Sequence, residues 1–154
     1  MDIPMILKPG AVRVLSATSS KKRLMHELGD IAQSAYGADA HAAVEALLER
    51  EALGPTGVGN GVALPHARLD DIDRVVGALV LLEKPINFAA VDRQPVDIAF
   101  ALFAPKDAGV EHLKALALIS RTLRDAQLCS KLRANPDPAT LYTIVTEAQA
   151  ILAA

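Results

Sequence analysis

The run VVGALVLL, Val75 to Leu82, decides the fold class. Its apolar residues are consecutive rather than alternating, the pattern of a strand covered on both faces. A shorter run, GVAL, precedes it and ends at Pro65, and PVDIAFALF, Pro95 to Phe103, follows it, with turn-forming residues between the three.

Helical spacing surrounds these strands. KKRLMHELGDIAQSAYG, from Lys21, brings Leu24, Leu28, Ile31 and Ala35 together, with Ser20 to cap the start and Gly37 to end the helix. Asp39 caps AHAAVEALLEREAL, in which Val44, Leu47 and Leu48 share a side and which stops at Gly54 and Pro55. Beyond Pro105 come HLKALALISRTLR from His112, AQLCSKLR from Ala126 and, after the breakers Asn135, Pro136 and Pro138, ATLYTIVTEAQAILA from Ala139. Helices on both sides of a central sheet make an α/β layered domain. The strand patterns leave parallel and mixed sheets both open.

A length of 154 residues suits one domain, spanning residues 1–154, and 51% hydrophobic against 22% charged residues is a globular composition. A net charge of −2, basic residues without a dense run, and 3% aromatics argue against a nucleic-acid partner. Cys129 is the only cysteine, so no internal disulfide forms and any metal site would rest on histidines and carboxylates. The N-terminal MDIPMILKPG lacks the pattern of a signal peptide, and Val75 to Leu82, the longest apolar run, is too short for a bilayer. The expectation is a cytoplasmic protein with no membrane insertion.

The chemistry concentrates in GVGNGVALPHAR, Gly57 to Arg68. Counting in twos puts Val62, Leu64 and His66 on one buried face. Pro65 supplies no N–H and should break regular pairing, leaving His66 where the strand ends. A ring there is either a satisfied core histidine or a reagent. Glycines 57, 59 and 61 with Asn60 permit positive φ, and such turns can gather backbone N–H groups around an anion. The loop is no dinucleotide fingerprint, because Val62 stands where the last glycine belongs, and no lysine makes it a Walker loop. GxSxG and HExxH motifs are absent too.

His112, Ala115, Leu116, Ile119 and Leu123 fall on one helical face, so His112 should point inward from the first turn of its helix, where the dipole disfavours a positive ring. Its bland alternative is a packed histidine. Arg50 lies in the last turn before the glycine loop; Glu49 and Glu51 would solvate it, or its guanidinium fork would reach a phosphoryl group. His26 and His41 receive no role.

LEREALGPTGVGNGVALPHARLD, INFAAVDRQPVDIAFALFAP and EHLKALALISRTLRD together resemble the enzyme IIA component of the bacterial phosphoenolpyruvate-dependent phosphotransferase system, most of all its nitrogen-regulatory branch, related to the fructose and mannitol IIA domains. The resemblance implies a single α/β domain with a mixed sheet flanked by helices. It implies that His66 accepts a phosphoryl group on Nε2 from an HPr-type phosphocarrier, with Arg50 and His112 as active-site partners and Thr56 beside the phosphoryl site. Gly57, Gly59 and Asn60 would supply phosphoryl-binding amides. No cofactor and no metal are needed, and the further partners are regulated proteins such as transporters or sensor kinases. Arg93, in VDRQPVD, stands where the family more often has a turn glycine.

For attack on phosphorus, the resemblance requires His66 to be neutral, with one nitrogen's lone pair exposed and the other nitrogen's proton held by an acceptor. Competing readings are a soluble IIA subunit feeding a sugar-specific IIB protein, a non-catalytic anion-binding module, and a metal-dependent hydrolase using His66, His112 and Glu111.

Overall fold

In the computed structural model, every residue from Val76 to Leu82 is buried, as are Ile98 to Pro105, so the middle of the sheet is covered on both faces. The structure describes the backbone of residues 1–153 and the side chains of 1–148; Ala154 of the expected 1–154 domain lies outside the described residues. In chain order the elements are α1 (Ile3–Ile6), β1 (Leu7–Leu15), α2 (Lys21–Tyr36), α3 (Ala40–Ala52), β2 (Gly57–Gly59), β3 (Val62–Ala63) and β4 (His66–Leu69). They continue with β5 (Val76–Ile86), β6 (Val96–Pro105), α4 (Val110–Leu123), α5 (Ala126–Ala134) and α6 (Pro138–Ala153).

The sheet is mixed. Its order is β1-β5-β6-β3-β2, with β4 also paired to β6; β1 runs parallel to β5, β5 antiparallel to β6, and β3 and β4 both parallel to β6. Helices α2 and α3 pack on each other and onto β1, β5 and β4, while α4, α5 and α6 form a second group against β6 and β1. Phe88, Phe100 and Phe103, all fully buried, anchor the interior.

The helix signals act as expected. Ser20 accepts from the Arg23 N–H, Gly37 takes a left-handed φ of 74° after α2, and Asp39 caps α3 through the His41 and Ala42 N–H groups. Pro138 opens α6 rather than preceding it, because a first-turn residue needs no N–H donor, and Asp137 accepts from the Thr140 N–H.

Three strands escape the expected set. β1 is an edge strand whose register shifts between Leu7 and Val12, around Pro9 and Gly10, where a proline removes a ladder bond at little cost. β2 forms inside what reads as a glycine loop and pairs antiparallel with β3, which lies in the expected GVAL run, the chain turning through Asn60 at φ 57° and Gly61 at φ 79°. β4 corrects the placement of His66. Pro65 does interrupt the pairing, but its carbonyl accepts the Leu102 N–H at 2.9 Å and the chain rejoins β6, so His66 opens a strand rather than closing one.

Candidate functional site

The break at Pro65 shapes the environment of His66. The Leu64 carbonyl lies 2.9 Å from Nδ1 of His66. On the other side of the ring the Nε–H of Arg50 donates to Nε2 at 3.2 Å. A guanidinium only donates, so Nε2 must be the acceptor and the ring proton must sit on Nδ1, donated to Leu64. Both contacts are satisfied by the neutral Nδ1–H tautomer alone. Arg50 reaches this position from the last turn of α3, which packs on β4, and its Nη1 is fixed by the Gly54 carbonyl at 3.0 Å.

His112 completes the group. Its ring centroid is 5.6 Å from that of His66, with the planes at 72°. It is buried in the first turn of α4, and its Nε2 is a buried atom with no hydrogen-bond partner among the described residues. Burial holds this imidazole below its ordinary value, and the facing His66 and Arg68 push it in the same direction. The buried stripe of α4 runs through Ala115, Leu118, Ile119, Thr122 and Leu123. Leu116, expected on that stripe, is only partly buried and instead lines the cleft around His66.

That cleft has a volume of about 520 Å³, and Arg50, Leu53, His66, Arg68, His112 and Leu113 are among its walls. Arg68 was not singled out by the sequence reading. It stands two residues beyond His66 on β4 and so shares its face, and strand alternation was the signal that marks it. Its Nη1 donates to the carbonyls of Lys106, at 3.2 Å, and Ala108.

The glycine segment is held by partners of its own. Thr56 is buried, and both its N–H and its Oγ1–H donate to the Glu51 carboxylate, each at 2.7 Å. Gly57 packs so closely on Ala90 that an added Cβ would sit 2.7 Å from the Ala90 methyl. The Asn60 N–H donates to Asp92 at 2.9 Å, and Gly59 and Asn60 line a separate cleft of about 150 Å³ with Ser120 and Arg124. The amides of Thr56 and Asn60 are thus taken by carboxylates, which accept strongly, and the polar groups converging on His66 are side chains plus the Leu64 carbonyl.

Glu51 does not solvate Arg50 as its adjacency suggests. Its side chain, 6% exposed, pairs with Lys21 at 2.9 Å. His26 is exposed, and His41 is exposed and pairs with Glu45 at 3.1 Å. Arg93 occupies the left-handed region at φ 61°, the conformation a turn glycine would supply. Among the described residues no group of three or more His, Cys, Asp and Glu side chains is placed to hold a metal ion, and no helix is long and apolar enough to cross a membrane.

The start of β4 thus holds a half-buried His66 between Arg50 and the buried His112. The chain belongs to the phosphoenolpyruvate-dependent sugar phosphotransferase system EIIA 2 family, whose model matches residues 5–148. It is 42% identical over 145 residues to a nitrogen regulatory protein of Bradyrhizobium diazoefficiens, covering 94% of this chain and 95% of that one. The crystal structure of the nitrogen regulatory protein IIA-Ntr from Neisseria meningitidis superposes with a TM-score of 0.85 at 32% identity, over 94% of this chain and 99% of that one. Mannitol IIA of Escherichia coli, solved in complex with phosphorylated enzyme IIB, shares the fold at a TM-score of 0.77 and 15% identity, over 92% and 99% of the two chains. The chain is accordingly a phosphotransfer protein of the phosphotransferase system.

Proposed function

We propose that the protein carries a phosphoryl group on Nε2 of His66, taken from the phosphohistidine of an HPr-type phosphocarrier, and that the two states of His66 regulate partner proteins. The observation that carries this reading is the tautomer: Leu64 holds the Nδ1 proton, leaving the Nε2 lone pair on the cleft side as the nucleophile. In the transfer the donor P–N bond breaks, a new bond forms from Nε2 to phosphorus, and the donor nitrogen keeps the electron pair. Nδ1 retains its proton throughout, and Leu64 steadies the positive character the ring gains.

The phosphoryl oxygens carry the charge during this step. Arg50 supplies N–H donors in the cleft, and the unpartnered Nε2 of His112 gains a partner when it presents an N–H to an oxygen. Two exposed leucines, Leu53 at 84% and Leu113 at 66%, flank the same cleft. An apolar rim of this kind suits protein docking, and placing about two negative charges at its centre changes which partner fits. The names of the relatives support the nitrogen-regulatory branch over sugar transport.

Incubation with phosphoenolpyruvate, enzyme I and an HPr-type phosphocarrier tests the reading through intact mass. The wild-type chain gains one acid-labile, base-stable phosphoryl group, and His66→Ala gains none. Equal labelling of the variant would refute it.

A further inference from the structure

The geometry points to Glu51 as a positioning residue that keeps the Leu64 carbonyl available to His66. The proposal rests on the phosphocarrier reading for its consequence, but on the hydrogen-bond pattern alone for its substance. Thr56 and Leu64 face each other just beyond the β2–β3 ladder, and the Leu64 N–H donates to the Thr56 carbonyl at 2.9 Å. In an antiparallel pair bonded this way, the two residues ordinarily exchange both bonds, so the Thr56 N–H would return to the Leu64 carbonyl. Here it does not. The Glu51 carboxylate takes that N–H, at 2.7 Å from Oε1 and 3.3 Å from Oε2, and takes the Thr56 hydroxyl as well. The Leu64 carbonyl is then left to accept Nδ1–H of His66.

Lys21 locks the diverting group. Its ammonium lies 2.9 Å from Glu51 Oε1, donates to the Phe88 carbonyl at 3.2 Å and sits over the Phe88 ring at 4.5 Å. A chain of contacts therefore runs from the start of α2, through the end of α3, to the phosphoryl-accepting ring. Without Glu51 the Thr56 N–H turns to Leu64, and a carbonyl shared between two donors holds each of them less firmly. Arg50 alone then opposes the Nε2–H tautomer, so the ring proton is held less firmly on Nδ1 and the population with an unprotonated Nε2 falls.

Imidazole nitrogen NMR on the unphosphorylated full chain reads this directly. In wild type the proton resides on Nδ1. In Glu51→Leu, its exchange with water accelerates at least tenfold, the Nε2–H tautomer appears, and a scalar coupling across a Thr56 N–H to Leu64 carbonyl bond emerges. Glu51→Gln, which keeps an oxygen acceptor for the Thr56 N–H, restores the wild-type spectrum, and Thr56→Val, which loses only the hydroxyl, retains it. Should Glu51→Leu fail to fold, Lys21→Met/Glu51→Leu removes the stranded ammonium as well and carries the same expectation. A folded Glu51→Leu or double variant with unchanged Nδ1–H exchange and tautomer overturns the proposal. Phosphoryl transfer measured alongside falls about tenfold in Glu51→Leu. A wild-type chain that accepts no phosphoryl group would sink the phosphocarrier reading while leaving the tautomer result standing.

Discussion

Arg50 donates its Nε–H to Nε2 of His66 at 3.2 Å, so in the resting protein the guanidinium sits on the lone pair that the proposed reaction requires. The same N–H has to change acceptor, from ring nitrogen to phosphoryl oxygen, as the P–N bond forms. Arg50 thereby selects the correct tautomer beforehand and neutralises charge afterwards, two tasks for one planar donor group.

Arg50→Ala should lower the rate of phosphoryl transfer roughly 10- to 150-fold, the equivalent of one charge-assisted contact of about 1.5–3 kcal/mol. Arg50→Lys should remain slow, because a point-like ammonium cannot hold the Gly54 carbonyl and a phosphoryl oxygen together. Quench-flow transfer from a phosphorylated carrier, with circular dichroism to confirm the fold, measures both.

His112 leaves a buried nitrogen without a partner among the described residues, an arrangement that costs about 1–3 kcal/mol in the resting state. His112→Leu should therefore fold with stability equal to or above wild type and yet transfer phosphoryl groups at least tenfold more slowly. Urea unfolding together with the transfer assay separates the two effects; a destabilised variant with normal transfer would make His112 a packing residue.

The same residue sets a pH dependence. Its folded value lies below the ordinary 6.5, so between the two values the unfolded chain binds the proton and the folded chain does not. Stability from this group is fully present above about pH 6.5 and is lost as pH falls through the depressed value. Chemical denaturation followed from pH 7.5 downward should show that loss in wild type, and a shallower one in His112→Leu.

Arg93 holds a left-handed turn at φ 61° with an exposed side chain. Arg93→Gly should relieve about 1 kcal/mol of backbone strain, less the entropy a glycine adds to the unfolded chain. The expected result is a rise of up to about 2 °C in melting temperature, read by calorimetry.

Helices α2 to α6 and the two long strands were legible because each rule involved is local: Ser20, Asp39 and Gly37 mark ends, and unbroken apolar runs mark β5 and the middle of β6. The four-residue α1 is too short to show a helical period. β1 was hidden because Pro9 and Gly10 are residues that strand interiors disfavour, and only the partner β5 shows that an edge tolerates them. His66, Arg50 and His112 were legible as a site because their types and neighbours matched a family pattern. Glu51 was not, since adjacency to Arg50 marks it as solvating that side chain. Consecutive helical residues point about 100° apart, which sends Glu51 to Lys21 and Thr56 and Arg50 to His66. The turn at the glycine segment was legible too, but its partners were not, because Asp92 and Glu51, which accept the Asn60 and Thr56 amides, are brought there by tertiary structure.

The most direct test of the account is the site of phosphorylation within the ring. Nitrogen-resolved NMR of the chain after phosphorylation by its carrier should place the P–N bond on Nε2 of His66, with the proton retained on Nδ1. A phosphoryl group found on Nδ1, on another residue, or nowhere would contradict it.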